Sequence, residues 1–408
     1  MLRLSRITRR AFVAGMSASI LTASARAQAA KPFIIGLTAD MSGPFVDFSG
    51  PGQVVAAEMA VQDFGGVVLG RPIRILSADD QNKADIASAT ARRWFDVEGA
   101  EAIVGGGNSS CALAILNVAR SAGKSFMISA AGNPALSGAD CSPVSTHWAY
   151  DTYAQATATG TYLTDKPGES WFFVTSDYAF GHALERDAAA VVQKLGGKIA
   201  GSVRAPLGTP DFSSFLLQAQ ASKARTIGLA VAGHDLINII KQAGEFGVGA
   251  AGSGQRLAGL TLFSSDLPGL GLQSAQGLVS AESFYWDRSD ETRAWTKRFH
   301  ERRPGKIPNL SHAGVYSAVL HYLKAVQAVG STDAVKVNEQ MRKTPVDDFN
   351  NRNVAVRPDG RVMHPMYVLR VKAPAASKGP FDVQEMLATV PPEQAFRSVD
   401  QAGCKLSA

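Results

Sequence analysis

The run Phe33-Ile34-Ile35-Gly36-Leu37-Thr38 is short, apolar and rich in β-branched side chains, which is typical of a strand buried on both faces of a sheet. Residues 54–61 then place apolar side chains three and four positions apart, before Gly65-Gly66. That spacing predicts a helix ended by the two glycines. A buried strand followed by a helix is the repeating unit of a parallel sheet covered on both faces by helices.

The same alternation continues along the chain. Further strands are predicted at residues 73–78, 102–105, 125–129, 171–175, 198–204, 226–230, 257–263, 353–356 and 367–371. Helices are predicted at residues 83–96, 110–121, 152–163, 181–195, 211–222, 235–246, 292–301 and 311–329. The residues after 372 are rich in Pro, Ser and Lys at first and are expected to be irregular. A second α/β series begins after Tyr150-Asp151, so the chain is predicted to form two similar units with a cleft between them.

The amino terminus resembles an export signal. Arg9-Arg10 precedes an apolar stretch, residues 11–21, which is too short to span a bilayer. Small residues follow in the Ala-x-Ala pattern that a signal peptidase recognises, so cleavage is expected after Ala27 or Ala29. Residues 1–29 are therefore predicted to be a twin-arginine signal peptide and the mature protein to lie in a bacterial periplasm, with an uncleaved membrane anchor as the alternative.

The net charge argues against a nucleic-acid partner. The whole chain has 41 basic and 35 acidic residues. Five of the arginines and none of the acids belong to the predicted signal peptide, so the mature chain is nearly neutral. No later apolar run approaches membrane-spanning length, and about 380 residues is long enough for two lobes.

Sequence signatures of catalysis and of cofactor binding are missing. The chain has no phosphate-binding loop and no nucleophile elbow. The one glycine fingerprint, residues 247–252, follows a predicted helix instead of a strand, which is the wrong context for a dinucleotide. The seven histidines have no metal-ligand spacing, and Asp79-Asp80 is better interpreted as structural than as a cation site. No catalytic residue, cofactor or metal is predicted.

Small polar loops follow several predicted strands at their carboxyl ends, where open α/β sheets bind ligands. Residues 40–45 follow the first strand, residues 105–110 the third and residues 129–134 the fourth. The serines at 109 and 110 open a helix, where free N–H groups and hydroxyls favour an anion. In the second unit, residues 177–181 and 264–266 occupy equivalent positions and offer aromatic side chains and one acid. Together the loops predict a site for a small carboxylate.

Three cysteines occur, Cys111, Cys141 and Cys404. An oxidising compartment favours one disulfide and one free thiol. Because Cys141 and Cys404 lie in loop sequence and Cys111 at a helix start, we expect a Cys141–Cys404 disulfide, with pairing through Cys111 as the alternative.

The ordered series of motifs resembles the family of periplasmic substrate-binding proteins for branched-chain amino acids and related carboxylates, which serve ABC importers. The segments that carry the resemblance are residues 40–43, 82–85, 178–181, 211–213 and 316–318. The resemblance implies a type I periplasmic binding fold, with two α/β lobes joined by three crossing segments that close over the ligand.

The resemblance also implies a binding site. The positions matched to it, or expected beside them, are Ser42, Asn108, Ser109, Ser110, Ala130, Ala131, Gly132, Tyr150, Tyr178, Phe180 and Asp266. Asn108, Ser109 and Ser110 match the carboxylate-binding loop of the family, and Ala130 to Gly132 match its second loop. Asp266 matches the acid that receives a ligand ammonium, although a Glu is usual there. Ala232 stands where a Tyr often helps to hold the ammonium, so a keto acid, an aromatic acid or another small carboxylate is a candidate ligand beside the amino acids.

The crossings are then expected near residues 150–151, 283–287 and 356–360. One lobe comprises residues 30–150 and 287–355, the other residues 151–286 and 356–375, and residues 376–408 form a tail. The implied protein is a monomer that is not embedded in the membrane and delivers a small carboxylate to an ABC-type permease. A receptor component that senses its ligand, or an exported enzyme, is the alternative.

Overall fold

The computed structural model describes residues 30–164, 167–249 and 253–406. The predicted signal peptide, residues 1–29, lies outside them.

The first sheet has six strands in the order β2-β3-β1-β4-β5-β6. The strands are β1 Phe33–Ala39, β2 Val67–Val68, β3 Arg71–Asp79, β4 Ala100–Gly105, β5 Ser125–Ile128 and β6 Ser145–His147. All neighbours are parallel except the short hairpin of β2 and β3. The helices that alternate with them are α1 Gly50–Phe64, α2 Ala84–Arg93 and α3 Ser109–Ala122. β1 is buried along its whole length, as its apolar sequence predicts.

The second sheet has four parallel strands in the order β10-β9-β7-β8. They are β7 Ser170–Ser176, β8 Lys198–Ala205, β9 Thr226–Ala230 and β10 Arg256–Gly259. The helices of this unit are α4 Thr152–Gln155, α5 Thr161–Leu163, α6 Ala179–Lys194, α7 Ser213–Ala221, α8 His234–Glu245, α9 Leu267–Leu270 and α10 Leu272–Ala275. The predicted fold class, α/β with parallel sheets flanked by helices, is confirmed.

A third sheet of three antiparallel strands completes the structure. Its strands are β11 Val279–Glu282, β12 Met366–Val371 and β13 Gln384–Val390. The remaining helices are α11 Asp290–Arg302, α12 Leu310–Val329, α13 Ala334–Lys343, α14 Pro392–Ala395 and α15 Val399–Ala402. α12 is buried on nearly every face and packs against α1, so the long apolar pattern of this helix belongs to the core.

Several elements, including β6, β11 and α13, were not predicted, and β10 ends at Gly259 and not at residue 263. Two further regions differ from the sequence-based expectation for a clear physical reason. Residues 353–356 form only isolated bridges, from Val354 to Val346 and from Val356 to Val362, and Asn353 has a φ of +53° that interrupts a strand. The expected irregular tail instead contains β13, which pairs with β12. Met386, Ala388 and Thr389 of β13 are exposed, so this weakly apolar segment is a strand because it pairs with β12 and not because it is buried.

The carboxyl-terminal segment is attached to the first sheet by a disulfide between Cys141 and Cys404, with 5.7 Å between their Cα atoms. Cys111 is a free thiol buried in α3. Burial raises the pKa of the Cys111 thiol well above its usual value, so it remains protonated.

Across the parts of the chain that the structure describes, helices long and apolar enough to cross a membrane are absent.

Candidate functional site

A small cavity lies where the carboxyl ends of the first and second sheets face each other, and its empty volume of about 320 Å³ includes space open to solvent. Its lining residues come from the loops that follow strands of both sheets and from the segment that joins them. They are Phe45, Phe48, Gly107, Asn108, Ser109, Ala130, Ala131, Gly132, Tyr150, Tyr178, Phe180, Ala232, Gly233 and Phe263. The parallel strands thus bring the predicted loops together at one place.

One side of the cavity is the amino terminus of α3. The Asn108 side chain caps this helix, because its Oδ1 accepts hydrogen bonds from the N–H groups of Ser110 and Cys111 at 2.9 and 3.0 Å. The neighbouring Ser109 hydroxyl is buried, and it has no hydrogen-bond partner among the described residues. A buried hydroxyl without a partner carries a free-energy cost, which a ligand oxygen in the cavity could remove.

Gly107 brings the backbone of this loop close to a buried acid. A Cβ at Gly107 would lie 2.1 Å from Oδ2 of Asp80, and the φ of +27° at this position also favours glycine. Asp80 accepts the N–H of Asn82 through Oδ1, whereas its Oδ2 has no partner among the described residues. Burial, with the nearby charges of Asp40 and Asp79, raises the pKa of Asp80 to about 7.

The loop after β5 is held by its backbone. The Gly132 carbonyl accepts the N–H of Thr152 at 2.8 Å, and a 2.7 Å hydrogen bond joins Nε2 of His147 to the Ala131 carbonyl. A Cβ on Gly132 would lie 2.6 Å from the Tyr150 ring and 3.0 Å from Phe180. The absence of a side chain there lets these two rings reach the cavity.

Aromatic rings form the other walls. The Tyr150 ring meets Phe48, Phe180 and Phe263 edge-on, with centroids 6.1, 6.2 and 5.4 Å away. The rings of Phe48 and Phe263 stack with centroids 4.7 Å apart, although the two residues lie in segments that follow strands of different sheets. Burial raises the pKa of the Tyr150 and Tyr178 hydroxyls well above the usual value, so both remain protonated hydrogen-bond donors.

Eight of the eleven predicted site residues line this cavity, and Ser42, Ser110 and Asp266 do not. The Ser42 hydroxyl donates to Asp79 Oδ2 at 2.7 Å in the loop after β1. The Asp266 carboxylate turns back on its own short helical turn, where Oδ2 accepts the Phe263 N–H at 2.9 Å. Burial raises the pKa of Asp266 to about 7. Asp266 therefore holds the backbone of Phe263 and is not among the residues that line the cavity.

Six lining residues are missing from the set predicted to contact the ligand, although the resemblance had matched Ala232 to a site position of the family. Phe45 and Gly107 belong to loops that the strand-end rule had marked. Ala232 and Gly233 follow β9 at the same edge of the second sheet, so the rule could have found them as well. Phe48 and Phe263 have no local signature, because they become neighbours only when the two sheets meet.

Comparison with known proteins identifies a family. The family model of the periplasmic binding proteins matches residues 32–380. A periplasmic binding protein from Burkholderia mallei is 46% identical, with a TM-score of 0.89 over 92% of this chain and 99% of that chain. A periplasmic ligand-binding protein of a branched-chain amino acid ABC transporter from Burkholderia xenovorans is 39% identical, with a TM-score of 0.81 over 91% and 99%. A solute-binding protein from R. palustris in complex with benzoate shares the fold at 20% identity, with a TM-score of 0.79 over 92% and 100%.

Proposed function

Because the chain belongs to the family of periplasmic binding proteins, we propose that it binds a small aromatic carboxylate in this cavity and delivers it to an ABC-type membrane permease. The observation that carries the proposal is the buried Ser109 hydroxyl at the start of α3, for which the described part of the chain offers no hydrogen-bond partner.

The carboxylate end of the ligand belongs at Ser109. α3 is 14 residues long, and its amino terminus carries a partial positive charge that favours an anion. The Ser109 hydroxyl can donate to a carboxylate oxygen, which is a charge-assisted hydrogen bond. The backbone around Ala130 to Gly132 lines the same cavity and supports the carboxylate end.

The charge of the site argues against an amino acid. Of the described residues, those that line the cavity include no acidic or basic side chain. Burying a ligand ammonium without a carboxylate partner is costly. The acid expected to serve as that partner, Asp266, hydrogen-bonds the backbone of Phe263. A ligand without an amine therefore fits better than leucine, isoleucine or valine.

The body of the ligand is expected to be flat and aromatic. Tyr150, Phe180 and Phe263 present rings to the cavity from both units of the chain, and stacked or edge-on ring contacts suit an aromatic acid. The R. palustris relative that holds benzoate supports this class of ligand. Tyr178 adds a hydroxyl that could contact a ring substituent.

Delivery to the permease follows from closure of two lobes. We assign residues 30–150 and 287–355 to one lobe and residues 151–286 and 356–375 to the other, with crossings near residues 150–151, 283–287 and 356–360. The ligand binds more tightly when both lobes contact it, so binding shifts the protein toward the closed arrangement. In this account the protein acts as a periplasmic monomer, and the permease recognises the surface that closure creates.

A thermal-shift comparison of matched acids tests the ligand class. Benzoate should raise the melting temperature of the mature protein, whereas leucine at the same concentration should not. Phenylalanine has both an aromatic ring and an ammonium, so it separates the preference for a ring from the exclusion of an amine. It should not stabilise the protein. Stabilisation by leucine or phenylalanine but not by benzoate would contradict the proposed ligand.

A further inference from the structure

Two loops from different sheets meet at the edge of the cavity. Pro44 and Phe45 follow β1, whereas Gly233 follows β9 and His234 is the first residue of α8. The N–H of His234 donates a 2.9 Å hydrogen bond to the carbonyl of Pro44. Phe45 and Gly233 also line the cavity, so this contact closes the cleft directly beside the ligand site.

The contact depends on the absence of a side chain at position 233. A Cβ on Gly233 would lie 2.4 Å from the Pro44 carbonyl oxygen and 2.6 Å from the Phe45 ring. The first neighbour is backbone and cannot turn away as a flexible side chain can. Any residue larger than glycine would therefore push the two loops apart.

The hydrogen bond also satisfies a group that the helix itself leaves free. His234 is the first residue of α8, so its N–H has no carbonyl partner within the helix. Gly233 has no side chain that could cap the helix, and the nearby Asp235 carboxylate accepts the N–H of Gly208 instead, at 2.8 Å. When the loops separate, the His234 N–H must exchange the Pro44 carbonyl for water.

We propose that Gly233 is an affinity-determining residue, because it allows the Pro44–Phe45 loop to close against the start of α8 over the bound ligand. This inference rests on the proposed function, because it takes the closed arrangement to be the ligand-bound one. Phe45 links ligand binding to closure of the loop, since its ring is both a wall of the cavity and the neighbour of Gly233.

Gly233→Ala tests this inference, and Gly271→Ala is the matched control. Both glycines precede a helix with dihedral angles that side chains rarely adopt, φ 63° and ψ −142° at Gly233 and φ 80° and ψ 143° at Gly271. A Cβ on Gly271 meets nothing within 4 Å. The control therefore reproduces the backbone strain without the cross-cleft clash.

The first measurement is the affinity for benzoate by calorimetry. Gly233→Ala should weaken binding by about tenfold or more, whereas Gly271→Ala should stay within about twofold of the wild type. Equal affinities of the two variants would overturn the role of Gly233. If the wild type itself binds no benzoate, the proposed ligand class fails, and the second measurement decides the inference.

The second measurement is made on the closed arrangement, with whichever of benzoate, leucine or phenylalanine raises the melting temperature of the wild type, and stabilisation by none of the three would overturn the inference as well. Amide hydrogen exchange at His234 reports how often the contact with Pro44 is formed. The wild type and Gly271→Ala should both protect this amide, and Gly233→Ala should lose the protection. A wild-type His234 amide that exchanges as fast as that of Gly233→Ala would overturn the inference.

Discussion

At the scale of single residues, the site depends on which polar groups the fold supplies with a hydrogen-bond partner and which it does not. Asn108 and Ser109 are adjacent, but the side-chain oxygen of Asn108 caps α3, whereas the Ser109 hydroxyl has no hydrogen-bond partner within the described ranges. Sequence reasoning could mark both as polar residues after a strand. It could not separate the capping residue from the free one, because that depends on side-chain orientation, and the same limit applies to the hydrogen bond of Asp266 with the Phe263 N–H.

The two serines at the start of α3 give the first prediction. Ser109→Ala should weaken binding of an aromatic carboxylate by at least about tenfold, the equivalent of one hydrogen bond to a charged group. Ser110→Ala is the control, since Ser110 is partly exposed and does not line the cavity. Calorimetry on both variants decides it, and equal losses would mean that the helix start as a whole, and not the Ser109 hydroxyl, holds the ligand.

Asp266 gives a pH-dependent prediction for stability. Its folded pKa, about 7, lies above the ordinary value of 3.8, so the native state retains a proton that the unfolded chain has released. The wild type therefore loses stability as the pH rises from about 4 to about 7. Asp266→Asn cannot ionise and can still accept the Phe263 N–H.

The free energy of unfolding of Asp266→Asn, relative to the wild type, should accordingly rise between pH 4 and pH 7 and level off above pH 8. The rise should be at most about 4 kcal/mol, from about 1.4 kcal/mol per pKa unit. Urea unfolding at a series of pH values measures it. A difference that does not change with pH would show that Asp266 is ionised throughout.

At the scale of elements, the sequence predicts buried parallel strands better than edge elements. β1 and β9 are buried along their whole length, and their apolar runs identify them directly. β13 was missed because pairing with β12, and not its own composition, makes it a strand. The prediction of a strand at residues 353–356 was wrong for the opposite reason. Apolar residues are present, but the positive φ of Asn353 turns the chain.

The Cys141–Cys404 disulfide is an element-scale attachment of the segment that carries α15. A Cys141→Ser, Cys404→Ser double variant should be less stable by up to about 5 kcal/mol, because the crosslink closes a very long loop. Fraying of α15 without global unfolding would make the loss smaller. Denaturant unfolding measures the difference, with Cys111→Ala as a variant that keeps the crosslink. Peptide mapping under non-reducing conditions that finds a linkage through Cys111 would contradict the pairing.

At the scale of the whole molecule, the alternation of strands and helices predicts two sheets, and the strand-end rule predicts that their loops form the site. What the sequence leaves open is how the two units meet. The stacking of Phe48 on Phe263 and the contact of Pro44 with His234 depend on how the two units pack together, and they have no signature in the sequence. The aromatic character of the cavity was therefore only partly foreseen, through Tyr150, Tyr178 and Phe180.

Closure gives the prediction for the whole molecule. In the structure the two units touch beside the cavity, through the His234 N–H and Pro44 and through the Asn309 amide and the Ser265 hydroxyl at 2.9 Å. Small-angle scattering should show a smaller radius of gyration with saturating benzoate than without it. A ligand that raises the melting temperature and leaves the radius unchanged would contradict closure.

A crystal structure of the mature protein with benzoate tests the central claim most directly. The account predicts that the carboxylate lies within hydrogen-bond distance of the Ser109 hydroxyl and that the ring lies between Tyr150, Phe180 and Phe263. Asp266 should keep its hydrogen bond to the Phe263 N–H. Benzoate bound outside this cavity, or bound with its carboxylate directed away from the start of α3, would contradict the account.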